Sequence, residues 1–429
     1  HSGPPGRMQR TESVFVMRTA TLDATAVKAD FPLLSREVHG HPIVYLDSGA
    51  TSQKPRRVLD AMDRYYEEIN ANIHRGAYQI AEQSTMAVED SRAALARFVG
   101  APSAAEIVFT KNATEAINLV AHSWGRTNLA DGDVVLLTAL EHHANIVPWQ
   151  QLAADRGVEI RWIPLNDDGR LDLTDLDRLL DGVRMVAVSA ASNVLGTLPP
   201  VRRIADAAHA VGALCLVDAS QWVPHLPTDV TGWGCDFVAF TGHKMCGPTG
   251  IGVLWGRHEL LDAMPPFLGG GSMIQNVTFD GFTPADVPTR FEAGTQPIAE
   301  IVGLHAAVDY LEALGMDAVR QHELELTSYA LRTLAERFGD ELAIHGPDTV
   351  EDRGGTLSLA YRDIHPHDLS QVLDQHGVCV RAGHHCAKPL MKVLGVNATA
   401  RASLYLYNDE SDVDALADGL AAAGDFFAL

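Results

Sequence analysis

The stretch Phe240-Thr-Gly-His-Lys244 places a lysine in a short polar loop between two apolar runs. Residues 236–240 before the lysine and 250–255 after it are typical of neighbouring buried strands in a parallel sheet. Upstream, the apolar run 212–217 ends on Asp218. Because ligands of open α/β sheets bind beyond the carboxyl ends of the strands, the pattern predicts that Asp218 and Lys244 face one crevice.

An aspartate and a lysine in one crevice suit two kinds of site. A lysine amine can form a Schiff base with the aldehyde of pyridoxal 5'-phosphate, and an aspartate can keep the ring nitrogen protonated. A structural ion pair at the edge of the sheet is the other interpretation, since such pairs also perturb pKa values. These two residues alone leave both interpretations open.

Length, charge and cysteine content limit the possible functions. The 429 residues are 46% hydrophobic and carry 33 basic and 55 acidic residues, which gives a net charge of −22. This balance argues against nucleic acid or an anionic membrane as a partner, and no apolar run reaches the ~20 residues of a membrane span. Five cysteines without a Cys-x-x-Cys spacing indicate a reducing compartment, which predicts a cytoplasmic protein.

The order of strand-like and helical segments predicts an α/β fold. Apolar strands alternate with helices, which indicates a large domain with a mainly parallel sheet flanked by helices, followed by a smaller C-terminal α/β domain. The Gly/Pro-rich segment 265–288 is too long for a simple connection and predicts a functional or subunit-contact loop. The expected divisions are a disordered tail or cloning remnant at 1–17, a segment packing with the small domain at 18–40, the large domain at 41–298 and the small domain at 299–429.

Three other polar segments carry candidate site residues. Thr114 is expected to open a helix, whose free N–H groups suit a phosphate, although a plain helix cap fits equally. His142 and His143 lack the spacing of a metal site, so one ring is expected to stack on a planar cofactor or to lie in a solvated loop. Arg401, expected to open the strand 402–406, could bind a carboxylate through two hydrogen bonds or make a surface ion pair.

A cysteine among basic residues occurs in the loop Arg381-Ala-Gly-His-His-Cys-Ala-Lys388. Nearby cations favour the thiolate, which is the nucleophilic form of cysteine. Cys386 is therefore predicted to be a reactive thiol, with an inert core cysteine as the alternative.

With these residues identified, the chain resembles the group II, or SufS-type, cysteine desulfurases, which are aminotransferase-like pyridoxal-phosphate enzymes of fold type I. The resemblance covers almost the whole chain after about residue 25. It rests on ten ordered motifs: Tyr45-Leu-Asp-Ser-Gly-Ala50, Asn72-Ile-His-Arg-Gly76, Glu141-His-His-Ala-Asn-Ile-Val-Pro-Trp149, Ser192-Asn-Val-Leu-Gly196, Val217-Asp-Ala-Ser-Gln221, Thr241-Gly-His-Lys244, Gly247-Pro-Thr-Gly-Ile-Gly252, Phe291-Glu-Ala-Gly-Thr295, Arg381-Ala-Gly-His-His-Cys386 and Arg401-Ala-Ser-Leu404.

The resemblance implies a role for each candidate residue. For the cofactor ring, Lys244 would carry the Schiff base, Asp218 would pair with the ring nitrogen, Gln221 would touch the ring hydroxyl and His142 would stack on the ring. The phosphate would be held by Ala113-Thr114, Thr241, His243 and, from the second subunit of a homodimer, Thr295. Asn193 and Arg401 would hold the substrate carboxylate, with Arg381 close to Cys386. Ala113 departs from the family, where a second threonine is common, and Tyr78 stands where a histidine is common.

The implied activity is conversion of L-cysteine to L-alanine with transfer of sulfur to Cys386, for iron–sulfur cluster assembly. The Lys244 amine would remove the Cα proton, and the Cys386 thiolate would attack the substrate sulfur and become a persulfide. A small SufU-like or SufE-like acceptor protein would then collect the sulfur. His367 matches the position that can take over a zinc ligand of a zinc-containing acceptor, and a solvated histidine at a helix start is the alternative.

Other functions remain open on the sequence alone. A selenocysteine lyase or a cysteine sulfinate desulfinase would share the fold, whereas a plain aminotransferase gives the loop cysteine no role. No resident metal is expected. The alternative outside enzymes is a zinc-binding or sulfur-carrying scaffold that uses His365, His367, His384, His385 and Cys386.

Overall fold

The structure is a computed structural model that describes residues 22–428. The predicted tail at 1–17, and the first residues of the predicted segment 18–40, lie outside the described residues. The described chain begins with α1 (Ala24–Ala29) and three two-residue strands, β1 (Glu37–Val38), β2 (His41–Pro42) and β3 (Val44–Tyr45). Strands β1 and β2 pair with each other. Lys28 on α1 donates to Asp412, near the C-terminal end of the chain, at 2.9 Å.

Seven strands form the large sheet, which defines the large domain. They are β4 (Ile107–Thr110), β5 (Val134–Thr138), β6 (Glu159–Ile163), β7 (Val183–Ser189), β8 (Leu214–Asp218), β9 (Phe237–Thr241) and β10 (Gly252–Gly256), in the spatial order β4-β10-β9-β8-β7-β5-β6. Most of these strands are continuous apolar runs, because helices cover both faces of the sheet. The predicted mainly parallel sheet is confirmed.

Strand β10 corrects one detail of the expected sheet. The sequence predicted a parallel neighbour at 250–255, but β10 runs antiparallel to both β9 and β4. The physical reason is the connection, since residues 242–251 contain only short turns and no α-helix. A parallel crossover needs about a dozen residues or more, usually with a helix.

The helices of the large domain flank the sheet. They are α2 (Arg56–Arg64), α3 (Gln79–Phe98), α4 (Ala113–Leu119), α5 (Arg126–Asn128), α6 (Val147–Arg156), α7 (Leu176–Leu179), α8 (Val201–Ala210) and α9 (His258–Ala263). Helix α3 was not predicted from the sequence, because it buries several small residues such as Ala81, Ser84 and Ser91 and its apolar stripe is therefore weak. The segment 265–288 contains a hairpin of β11 (Ile274–Val277) and β12 (Phe282–Pro284), and the side chain of Phe279 at its tip is fully exposed.

Two long helices, α10 (Ile298–Leu314) and α11 (Met316–Phe338), lead into the small domain. Its remaining elements are β13 (Leu342–His345), β14 (Thr356–Tyr361), α12 (Pro366–Gln375), β15 (Val378–Cys379), β16 (Arg381–Gly383), α13 (Lys388–Val393), β17 (Thr399–Ser403) and α14 (Glu410–Phe427). Strands β13-β14-β17-β16 form an antiparallel sheet, and β15 pairs in parallel with β3. Arg401 therefore lies in the middle of β17 and is buried, where the sequence predicted that it opens a strand.

Hydrophobic clusters lie on both sides of the large sheet, and a further cluster lies between the small sheet and its helices. Leu46, which follows β3, belongs to the small-domain cluster. Among residues 22–428, no helix combines the length and the apolar composition that a membrane crossing requires.

Candidate active site

A cavity of about 440 Å³ lies at the carboxyl ends of the central strands. Twelve of the predicted site residues line it: Ala113, Thr114, His142, Asn193, Asp218, Gln221, Thr241, His243, Lys244, Arg381, Cys386 and Arg401. Because parallel strands end at the same edge of a sheet, loops that are far apart in sequence meet here. Thr295 and His367 are exposed and do not line this cavity.

Lys244 follows β9 in a short helical turn, and Asp218 is the last residue of β8. The pKa of Lys244 is lowered to about 8, because loss of hydration and the charge of Arg401 outweigh the opposing charge of Asp218. The Oδ1 atom of Asp218 accepts hydrogen bonds from the N–H and the hydroxyl of Ser220 at 3.0 and 2.6 Å. Its Oδ2 atom accepts no hydrogen bond within residues 22–428. This oxygen can therefore still accept one from a protonated ring nitrogen.

His142 follows β5 and presents a neutral ring to the cavity. Burial, together with the charge of Lys244, lowers the pKa of His142 to about 4. Its Nδ1 accepts the N–H of Ala144 at 3.0 Å, so the ring proton lies on Nε2. The adjacent Glu141 is buried and accepts hydrogen bonds from Thr138, Asn145 and Ser189, and burial raises its pKa to about 7. This carboxyl ties the His142 loop to two strands, a role that the sequence analysis did not foresee.

The opposite end of the cavity suits an anion. Asn112, rather than Thr114, caps α4, because its Oδ1 accepts the N–H of Glu115 at 2.9 Å and the helix begins at Ala113. Thr114 is thus free of the capping role that was the alternative for it. The hydroxyl of Thr241 is buried without a partner among the described residues, so a bound group would satisfy it. A Cβ at Gly252 would lie 2.5 Å from the Asn112 backbone, so glycine permits this close approach.

Arg401, the predicted carboxylate ligand, and Arg381, predicted to lie close to Cys386, both contact Asp47. Arg401 donates to Oδ1 of Asp47 at 3.2 Å and to the backbone carbonyl of Asn193 at 3.0 Å, and its Nε is buried without a partner in the described chain. Arg381 donates to Oδ2 of Asp47 at 2.9 Å. Asp47 was not predicted as a site residue, although it lies in the motif that starts at Tyr45. A substrate carboxylate can accept a hydrogen bond from the unpartnered Nε of Arg401, or it can replace the Asp47 carboxylate as the partner of the two arginines.

Cys386 is exposed at the mouth of the cavity, on the loop between β16 and α13. His385 beside it is buried and turned inward, with its Nε2 2.9 Å from the hydroxyl of Thr399. The amide of Asn193 donates to the carbonyl of His385 at 2.7 Å, so this predicted substrate ligand also holds the thiol loop.

The histidines and Cys386 of the alternative zinc-binding interpretation do not form a metal-binding group in the described chain. Within residues 22–428, no three or more His, Cys, Asp or Glu side chains are grouped so that they could hold a metal ion. His367 is exposed near the start of α12, where its N–H is 3.2 Å from Nδ1 of His365 and its Nε2 is 3.2 Å from the Gln371 amide.

Comparisons with known proteins agree with this geometry. Residues 44–416 match the model of the family described as aminotransferase class-V. A probable cysteine desulfurase of Streptomyces coelicolor is 52% identical over 412 residues, which cover 95% of this chain and 98% of the relative. The apo structure of a cysteine desulfurase from Thermococcus onnurineus NA1 superposes with a TM-score of 0.87 at 38% identity, covering 94% of this chain and 98% of that one. The cysteine desulfurase CsdA from Escherichia coli, in its S-sulfonic acid form, superposes with a TM-score of 0.86 at 36% identity, covering 95% of this chain and 99% of that one.

Proposed function

This chain belongs to the class-V aminotransferase family and is a cysteine desulfurase, and on that premise we propose that it binds pyridoxal 5'-phosphate beside Lys244 and passes the sulfur of L-cysteine to Cys386. One observation carries the proposal. A nucleophilic amine with a lowered pKa and an exposed thiol line the same cavity. Amino transfer gives the thiol no chemical role, whereas sulfur transfer requires a thiol that accepts the sulfur.

The residues of the cavity fit this cofactor. The unpartnered hydroxyl of Thr241, with Ala113-Thr114 and His243, suits the phosphate, and Thr295 of a second subunit would complete that end of the site. Asp218, Gln221 and His142 would hold the ring nitrogen, the ring hydroxyl and the ring face. When bound, pyridoxal phosphate supplies an electron sink for the charge left at the substrate Cα.

The chain's own residues perform the proton and sulfur transfers. Arg401 and Asn193 would hold the carboxylate of L-cysteine, and the Lys244 amine would take the Cα proton and return it. The Cys386 thiolate would attack the substrate sulfur, so that an S–S bond forms while the C–S bond breaks. The electron pair of the C–S bond stays with carbon, which gains a proton to give L-alanine, and Cys386 is left as a persulfide.

The test replaces the thiol and keeps the cavity. In the holoenzyme, Cys386→Ser should still show the absorbance change that L-cysteine produces, because the cofactor contacts are untouched, but it should lose alanine and sulfide formation. Cys379→Ser, which removes a half-buried thiol of the same domain, is the matched control and should behave as wild type. Wild-type alanine formation by Cys386→Ser would refute the persulfide step, and retained turnover of selenocysteine or cysteine sulfinate alone would favour those alternative substrates.

The finer partner assignments belong to the same proposal. We take the enzyme to be a cytoplasmic, SufS-type homodimer that supplies iron–sulfur cluster assembly through a SufU-like or SufE-like acceptor protein. An acceptor must approach Cys386, because the loop 384–387 is too short to carry the thiol far: a chain extends at most about 3.3–3.6 Å per residue. The exposed His367 is the candidate contact for a zinc-containing acceptor.

Alanine formation with reductant, with and without the cognate acceptor, tests this contact. His367→Ala should keep the basal rate and lose acceptor stimulation. His376→Ala, at the other end of α12 and also exposed, is the control. Full stimulation of His367→Ala would remove this histidine from the mechanism, and a wild type that is already at its highest rate alone would remove the need for an acceptor.

A further inference from the structure

We propose that His143 is a positioning residue that fixes the Cys386 loop against the large domain in the arrangement that sulfur transfer needs. The inference rests on the proposed function, because it takes Cys386 to be the residue that receives sulfur. His143 itself contacts neither Lys244 nor the substrate side of the cavity, and it is absent from the cavity lining. Its contacts are instead with the thiol loop.

The Cys386 loop has a backbone that needs outside support. His385 and Cys386 have φ angles of 52° and 54°, so two consecutive residues other than glycine are left-handed. Such residues are strained and persist only where the surrounding structure fixes them. Since the loop carries Cys386 at the surface in this conformation, specific contacts must hold it.

His143 supplies two of these contacts, one on each side of Ala387. Its backbone N–H donates to the carbonyl of Cys386 at 2.7 Å, and its Nε2 accepts the N–H of Lys388 at 3.0 Å. Lys388 is the first residue of α13, so its N–H has no partner inside the helix. The imidazole therefore fixes the start of the helix that follows the thiol.

The acceptor role requires an unprotonated Nε2. Burial, together with the charges of His384 and Lys388, holds the pKa of His143 below its ordinary value. The rings of His142 and His384 lie 6.3 and 5.7 Å from the His143 ring. His384 adds a further contact, since its Nδ1 accepts the N–H of Cys386 at 3.2 Å.

The two adjacent histidines of this loop therefore have different roles. His142 faces the cofactor side of the cavity and His143 holds the thiol side, so the loop after β5 sets the distance between the two reacting centres. A misplacement of about 1 Å between reacting groups can slow a reaction by about a hundredfold. The Nε2 contact of His143 is therefore expected to affect the rate of sulfur transfer rather than the binding of L-cysteine.

The experiment uses the full-length holoenzyme with three variants. The backbone N–H of His143 survives every substitution, so side-chain changes isolate the Nε2 contact. His143→Leu removes the acceptor and keeps the bulk, whereas His143→Gln offers an amide oxygen to the Lys388 N–H. His122→Leu, at a half-buried histidine in the large domain outside this loop, is the matched control.

His143→Leu should lower kcat for alanine formation by about ten- to a hundredfold, with KM and the absorbance response to L-cysteine unchanged. Hydrogen exchange at the Lys388 amide should become faster in this variant. His143→Gln should restore most of kcat and most of the protection of this amide from exchange. Wild-type kcat and exchange in His143→Leu would overturn the inference. A Gln variant as impaired as the Leu variant would also overturn it, because bulk rather than the acceptor would then matter.

Cys386→Ser separates failure of the inference from failure of the proposed function. If this variant kept full alanine formation, the persulfide step would fall. The exchange rate at Lys388 would still decide whether His143 holds the loop, since that measurement does not depend on turnover.

Discussion

The loops that carry Lys244 and Cys386 border one cavity, and both contain strained residues in surroundings that differ. Cys246, two residues after Lys244, has a φ of 63° and is completely buried. His385 and Cys386 are also left-handed, but Cys386 is exposed. The same backbone conformation is therefore maintained once in the interior and once at the surface.

The contacts that maintain the two loops come from different places. The carbonyl of His243, next to Lys244, accepts hydrogen bonds from the 51–54 segment of the large domain: Ser52 N at 3.0 Å, Thr51 Oγ1 at 3.0 Å, Ser52 Oγ at 3.1 Å and Lys54 Nζ at 2.8 Å. Ser52 Oγ also accepts the N–H of Cys246 at 2.9 Å. The Cys386 loop, by contrast, belongs to the small domain and is held from the large domain by His143 and Asn193.

The difference separates the two halves of the reaction. The amine loop is held mainly by a segment of its own domain, and the small domain adds two contacts, from Tyr407 to the N–H of Gln53 and from Tyr405 to the thiol of Cys246. The thiol is fixed across the boundary between domains, so its distance from the amine depends on that boundary. We expect changes to the Lys244 loop to affect stability and cofactor binding, and changes to the Cys386 loop to affect only sulfur transfer.

The largest effect should come from Lys244→Ala. Since no other described amine lines the cavity, alanine formation should fall by about 10³-fold or more. Pyridoxal phosphate could still bind through its phosphate contacts, without the absorbance of a lysine-linked cofactor. Lys392→Ala, which changes an exposed lysine in the small domain, should keep wild-type rate and spectrum. Substantial turnover by Lys244→Ala would remove this residue from its role.

A smaller effect is expected of Ser52→Ala, which weakens the interior loop. The substitution removes a donor to His243 and leaves the buried N–H of Cys246 without its acceptor, so the free energy of unfolding should fall by about 1–3 kcal/mol. Urea unfolding of the apo-protein measures this change. Ser370→Ala, whose hydroxyl bonds an exposed carbonyl on α12, should stay within about 0.5 kcal/mol of wild type. Equal stabilities of these two variants would show that the contacts of Ser52 do not stabilise the Lys244 loop.

The smallest expected effect is a shift along the pH axis. The pKa of Lys244 is lowered to about 8, and only the unprotonated amine can attack the cofactor aldehyde. The rate at which apo-protein reacts with added pyridoxal phosphate should therefore rise as pH increases through about 8 and level off above it. Stopped-flow absorbance measures this rate. A midpoint near the ordinary lysine value of about 10.4 would show that burial does not tune the amine.

The parts of the fold that the sequence revealed are those with strong apolar periodicity. The central strands were predicted within a few residues, because each is a short, fully buried run. Helix α3 and the edge strand β6 were missed, since α3 buries small residues and β6 is only partly buried. The direction of β10 could have been predicted from its short connection to β9, which excludes a helical crossover.

The site was predictable where chemistry marks a residue type, as with Lys244 and Cys386. Asp47, His143 and Ser52 were not predicted, because their importance comes from partners that are distant in the sequence. His143 in particular stands next to His142 in the same polar loop, and only the fold shows that it contacts the loop at Cys386. The SufS-type subgroup stays a prediction.

The pairing of β3 with β15 also governs when this enzyme can become active during its synthesis. Asp47, just beyond β3, and Arg381, just beyond β15, lie 334 residues apart in the chain. At about 5–20 residues per second, a ribosome needs on the order of tens of seconds to add the second after the first. Throughout that time Val44 and Tyr45 lack β15, the strand with which they pair in the folded chain. The nascent chain therefore carries its amine loop long before the thiol can be brought to it, and sulfur chemistry waits until β15 and the Cys386 loop have been synthesised.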